Sequence, residues 1–173
     1  MVIDETAAAY GLFQIAFAEA DEHLRALLSH LFCPENPEKA MDRVPWNLAD
    51  VIKTLRKELG VFKGRGASIE EFADKVKEAC SRMKLLSKWR NVRIHSHIRR
   101  SNNGAYVLVD KTTDKALSMN VTEITDKIDC AISITTTVIA YSTHLLGVFD
   151  FDRENQRMVD ADPELKKVFG GSD

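Results

Sequence analysis

The chain lacks the marks of several large protein classes. It has three cysteines, Cys33, Cys80 and Cys130, widely spaced and without a CxxC pair. That pattern fits neither a disulfide framework nor a zinc site. The cysteines read as small buried thiols in a reducing compartment. The opening residues, Met1-Val2-Ile3-Asp4-Glu5, have neither the basic start nor the apolar run of a signal peptide, so a cytoplasmic location is expected. The sequon Asn120-Val121-Thr122 therefore has no secretory context. Two longer absences are more informative. From Cys130 to Phe149 there is no Asp, Glu, Lys or Arg, and from Ala79 to Val109 there is no Asp or Glu.

The first gap resembles a membrane span, which needs about 20 mostly apolar residues. Ser133, Thr135, Thr136, Thr137, Ser142, Thr143 and His144 dilute it. A helix buried in a bundle or in a dimer interface accounts for it better than a bilayer, and no membrane partner is expected. The second gap is an electrostatic feature. Arg82, Lys84, Lys88, Arg90, Arg93, Arg99 and Arg100 give this window +7, which leaves −9 on the remainder of a chain whose net charge is −2. A basic island on an acidic chain favours an anionic ligand, against the alternative of an ordinary solvated face.

What is present is mostly helix. Leu12, Ile15, Phe17, Leu24, Leu27, Leu28 and Leu31 give a broad apolar face to a helix from Asp4 to about Phe32, ended by Pro34 and Pro37. Leu48, Val51, Ile52, Leu55 and Leu59 mark a short second helix with Gly60 as its C-terminal cap. The GxG of Gly64-Arg65-Gly66 lacks a preceding strand and a following Lys-Ser/Thr, so it reads as a linker. Ser68 and Glu71 have capping-box spacing for a third helix, whose core stripe is Phe72, Val76, Ala79, Met83 and Leu86. At 100° per residue that stripe runs on into Arg90, with His97 close to the same line. Ser101-Asn102-Asn103-Gly104 is a turn, and residues 106–109 and 116–119 read as the two strands of a hairpin. Thr122 is expected to cap a last long helix to about Leu146, with Ile124, Ile128, Ala131, Thr135, Val138 and Leu145 inward. The expected fold is an all-α antiparallel helical bundle over residues 1–149, with a short β-hairpin between the third and last long helices. Residues 150–173 are expected to form a polar acidic tail with a helical piece near 152–159.

The chemistry concentrates in Arg90-Asn91-Val92-Arg93-Ile94-His95. Arginine grips phosphate through a planar fork of donors. Histidine, with an ordinary pKa of about 6.5, moves protons near neutrality. RNA carries its own nucleophile, the 2′-hydroxyl, so an enzyme needs only to move protons and stabilise charge at phosphorus. Asn91 would orient ribose or phosphate by hydrogen bonds. No metal is required, and none is expected: His95-Ser96-His97 has no acidic ligand beside it, while His23 and His30 lack a third ligand and read as ordinary helix residues. A half-buried Arg90 that simply ties helix ends together is the competing structural reading.

A long helix, a short helix, a long helix ending in Arg-Asn-x-x-x-His, then a hairpin and a closing helix: over residues 4–147 this resembles the HEPN superfamily. The matching residues are Arg90, Asn91 and His95, with His97 at the longer permitted spacing. The resemblance implies a homodimer with a composite site and metal-independent cleavage of RNA to 2′,3′-cyclic phosphate and 5′-hydroxyl ends. It also implies a role as toxin or defence effector, with an antitoxin or other partner protein, and no cofactor. Arg90, Asn91 and His95 would then be catalytic. Lys84, Lys88, Arg93, His97, Arg99 and Arg100 would contact the RNA backbone. Where a toxin branch of the family has a tyrosine two residues after the histidine, this chain has His97, which argues against modification at that position. Some members are non-catalytic dimerisation or nucleotide-binding and RNA-binding modules, and that alternative stays open. Arg90 and His95 lie about 140° apart on an ideal helix, so a shared phosphate would be reached more readily by two copies than by one.

Overall fold

A computed structural model of the chain describes residues 5–100, 106–117 and 120–161, apart from the side chains of His97, Ile98, Arg100, Tyr106 and Val159. It is a bundle of five helices with a small antiparallel sheet. Helix α1 (Glu5–Phe32) is followed by a single turn, α2 (Pro37–Ala40), and by α3 (Leu48–Glu58). Helices α4 (Ala67–Ile94) and α5 (Val121–Ala161) flank strands β1 (His97–Arg100), β2 (Tyr106–Val109) and β3 (Ala116–Leu117).

Contacts at the two ends fix the directions of the long helices. Trp89 of α4 meets both Tyr10 of α1 and Glu123 of α5. At the other end, His30 of α1 lies 3.4 Å from Asp150 of α5, and Phe72 of α4 packs on Tyr141. Helices α1 and α5 therefore run parallel, with α4 antiparallel to both. The core between them is Phe13, Leu24, Leu28, Val76, Met83, Ile124, Ile134 and Leu145, all buried. Each such large side chain contributes about 1.5–3 kcal/mol of burial.

Several local expectations are corrected. Leu12 and Ile15 are 60% and 61% exposed, because the face of α1 that meets α4 and α5 is set by Phe13, Phe17 and Leu24. Gly60 does not end α3. Leu59 occupies the cap in right-handed helical geometry, and the chain continues through a 3-10 turn that buries Leu59 and Phe62. The Ser68–Glu71 box is not made. Gly66, at φ 110°, is the N-cap of α4, and Glu70 instead accepts the Gly64 N–H at 2.6 Å. A backbone at that φ is one that glycine adopts without strain. Thr122 is not the cap of α5; Asn120 is, accepting the Glu123 N–H at 2.7 Å.

The hairpin is present and gains a strand. β1 pairs with β2 in the register His97↔Val109 and Arg100↔Tyr106, and β2 pairs with β3 as Leu108↔Leu117. The turn Ser101–Gly104 and residues 118–119 lie outside the described residues. The expected continuation of α4 to His97 fails. The helix stops at Ile94, His95 closes it by donating its N–H to the Asn91 carbonyl at 3.1 Å, and His97 is already extended.

Helix α5 does not end near Leu146. It runs unbroken for 41 residues, so the expected boundary at 149/150 falls inside it. Its sequence has no proline to stop it there, and Gly147 alone costs only about 1 kcal/mol. The extension is tied back by Arg65–Asp152 and by Glu35, which pairs with both Arg153 and Arg157. By length and composition α5 is also apolar enough to cross a membrane.

Cys80 is buried in the core, and that burial pushes its thiol up to about 12, while Cys33 and Cys130 are half-buried. Alkylation of the native protein at pH 8 should label Cys33 and Cys130 first and leave Cys80 unmodified until denaturant is added, as read by peptide mass spectrometry.

Candidate functional site at the end of helix α4

The last three turns of α4 separate their residues by face. Lys84, Lys88, Asn91 and His95 follow steps of four, three and four residues, so they fall within about 60° of one another, and all four are exposed. They extend the line of Lys77 and Ser81, where α3 touches α4 through Arg56 Nη1 and Ser81 Oγ at 3.4 Å. Beyond Ser81 that line turns to solvent. It forms a stripe about 16 Å long at 1.5 Å rise per residue.

Arg90 points elsewhere. It is half-buried against α1, donating its Nε–H to Gln14 Oε1 at 2.8 Å, with its guanidinium carbon 4.9 Å from the Phe17 ring centre. Among the described residues its two Nη groups make no hydrogen bond and no ion pair. Packing therefore holds the guanidinium through one nitrogen and a ring face. Arg90 and His95 lie on different faces of α4, as ideal helix geometry requires, and a single copy does not bring them together.

Arg93, a candidate RNA contact, is engaged within the fold. Its side chain is only 9% exposed; Nη2 donates to Glu123 Oε1 at 2.6 Å, and the guanidinium lies 3.7 Å from the Trp89 ring centre. The same Glu123 oxygen accepts the Trp89 indole N–H at 2.7 Å. Burial pulls the Arg93 guanidinium below its ordinary range, and the charge of Glu123 pulls it back up. Burial likewise raises the Tyr10 phenol, while the charge of Arg90 lowers it. Around Trp89 stand Tyr10, with ring centres 6.4 Å apart, and Phe13, edge-on at 5.0 Å.

The remaining basic residues are scattered. Arg99, in β1, pairs with Asp114 at 2.8 Å across the hairpin. His97 and Arg100 are also in β1, and their side chains lie outside the described residues. Gln14, Glu123 and Tyr10 were not singled out in the sequence. Each sits far along the chain from the motif, and only the packing of α1 and α5 on α4 brings it near. A hollow of about 390 Å³, lined by Phe62, Arg65, Phe149 and Asp152, lies at the opposite end of α4. Among the described residues no group of three or more His, Cys, Asp or Glu is gathered as a metal site.

No family model matches this chain, nor does any curated protein or solved structure.

Glu123 compensates a mostly buried cation, so its removal should be costly. Breaking a fully buried pair costs about 3–5 kcal/mol, and the 29% exposure of the Glu123 side chain lowers the expectation for Glu123→Ala to about 2 kcal/mol. Urea denaturation of Glu123→Ala, Arg93→Ala and the double variant should show strong non-additivity, with the double variant close to the worse single one.

Proposed function

We propose that the chain is a metal-independent endoribonuclease of HEPN type, acting as a homodimer. The observation that carries this reading is the exposed stripe of Lys84, Lys88, Asn91 and His95, with the Nη fork of Arg90 on the adjoining face, in a segment without acidic residues. In the reaction the imidazole of His95 takes the 2′-hydroxyl proton as the 2′-oxygen bonds to phosphorus. The bond from phosphorus to the 5′-oxygen then breaks, and that oxygen leaves with the proton, returned by the His95 imidazolium. Arg90 neutralises the charge that builds on the non-bridging oxygens. Because Arg90 and His95 lie on different faces, a two-fold pair lets Arg90 of one copy serve the phosphate that His95 of the other attends.

A second reading is favoured by the packing of Arg90 and Arg93. Both arginines make structural contacts, which suits a binding module of the same fold without turnover.

The exposed residues give the cleaner test. His95→Ala and Asn91→Ala should keep stability within about 0.5 kcal/mol of the parent, since neither side chain is buried. His95→Ala should nevertheless slow EDTA-resistant cleavage of unpaired RNA by roughly 10²–10⁴-fold. Arg90→Ala should lower cleavage and also stability by about 1–2 kcal/mol, because it loses both the Gln14 bond and the Phe17 ring contact. RNA left intact by the parent protein over long incubation, at concentrations where sedimentation shows the dimer, would refute the enzyme and leave the binding module.

A further inference from the structure

One aromatic side chain is unaccounted for by the fold. Trp46 is 97% exposed, the most exposed of the large apolar residues described, yet its backbone is held at several points. Arg25 of α1 donates Nη1 to the Pro45 carbonyl at 2.7 Å and Nη2 to the Trp46 carbonyl at 3.0 Å. Asp21 fixes that guanidinium from one turn earlier, at 2.8 Å. On the next residue, Asn47 caps α3 by accepting the Ala49 N–H at 2.9 Å. The loop is thus anchored while its indole projects into water. An indole left in water forgoes a large burial energy, and exposed aromatics concentrate at recognition surfaces.

Two observations place this indole relative to the stripe. Gln14, which holds Arg90, and Arg25, which holds Trp46, are eleven residues apart on α1. Eleven residues turn the helix by 1100°, a net 20°, so both lie on one face about 16 Å apart. Helix α4 runs antiparallel to α1, so Lys88 and Lys84 step from Arg90 and Asn91 towards the Arg25 end. Independently, α3 lies along the Lys77–Ser81 line of α4, with Arg56 against Ser81, and Phe62 further down shares a hollow with Ala73. Helix α3 therefore runs antiparallel to α4, and its first turn, with Trp46 just before it, lies on the Lys84 side of Ser81.

We propose that Trp46 is a stacking platform for an unpaired nucleobase of the RNA whose backbone follows Lys84, Lys88 and Asn91 to His95. The subsite belongs to the reading given under Proposed function and names its substrate class as single-stranded RNA. A flat π face accepts any base, while a duplex keeps its bases stacked inside and offers none. The lysines supply charge along the track, and Trp46 supplies an uncharged contact.

The test uses the full-length protein and a labelled twelve-nucleotide single-stranded RNA, with a blunt duplex of the same sequence as control. Trp46→Ala should weaken binding of the single strand by about tenfold or more, whereas Trp46→Phe should recover most of it. Both variants should melt at the parent temperature, because the side chain touches almost nothing. Emission of the Trp89→Phe variant, whose remaining indole is Trp46, should be quenched by the single strand and not by the duplex. Equal affinity of parent and Trp46→Ala, or equal quenching by duplex, overturns the subsite even if cleavage is observed. Weakened binding in a protein that never cleaves upholds the subsite and removes the nuclease. A parent protein that binds neither RNA removes both.

Discussion

One carboxylate holds three helices in place. Glu123, in the first turn of α5, accepts from both the Trp89 indole and the Arg93 guanidinium of α4, and Trp89 in turn packs on Tyr10 and Phe13 of α1. The arrangement is economical because each part needs the others. Arg93 tolerates its burial only with a negative partner, and the indole N–H needs an acceptor. The ring face of Trp89 gives the guanidinium a second attraction. Near the start of α5, Glu123 also sits where a negative charge favours the helix dipole. This node sets the level at which α4 and α1 meet, and with it the place where Gln14 catches Arg90.

That constraint divides two arginines that look alike in the sequence. Positions 90 and 93 lie 60° apart around the helix, enough for one to reach α1 and the other α5. Among the described residues, only Arg93 of the two is paired with an acid. Arg93 is thereby neutralised, while Arg90, meeting the neutral amide of Gln14, keeps its charge and its terminal fork. An amide orients a guanidinium without cancelling its field, which is what a phosphate-binding arginine needs from its neighbours.

Much of the fold was legible because it depends on periodicity. The stripes of α3 and α4 were read from spacing, and Val51, Ile52, Leu55, Val76, Ala79, Met83 and Leu86 are buried as that spacing implied. Failures cluster at ends and faces. Gly66 displaced the Ser68 cap because a positive φ turns the chain into the helix without a side-chain acceptor. Leu12 and Ile15 fit an apolar face, but α1 packs on one arc only, and apolar residues outside that arc remain in water. Strand β1 was invisible because His97-Ile98-Arg99-Arg100 has no alternation; it is a strand because β2 lies beside it. At the site, the exposure of Asn91 and His95 on a face apart from Arg90 follows from helix geometry. The partners Gln14 and Glu123 do not, because tertiary packing chose them.

The +7 of the basic window overstates the charge that a ligand would meet. Glu123 cancels Arg93 and Asp114 cancels Arg99, while Arg82 turns inward to Ser133 and Cys130. Within the window, Lys84 and Lys88 face outward on α4 while Arg90 lies on another face against α1, with no acid paired to any of the three among the described residues. So small a cluster holds a phosphate backbone weakly, since electrostatic affinity scales with the number of phosphates neutralised. Affinity then has to come from doubling the surface or from contacts that carry no charge. In the dimer proposed above, a two-fold pair of α4 faces would supply the first and bring the separated Arg90 and His95 within reach of one phosphate. In the same proposal the exposed indole of Trp46 would supply the second. Under the proposed function, the modest charge, the split motif and the exposed tryptophan belong to one physical problem: binding an anionic strand with few cations.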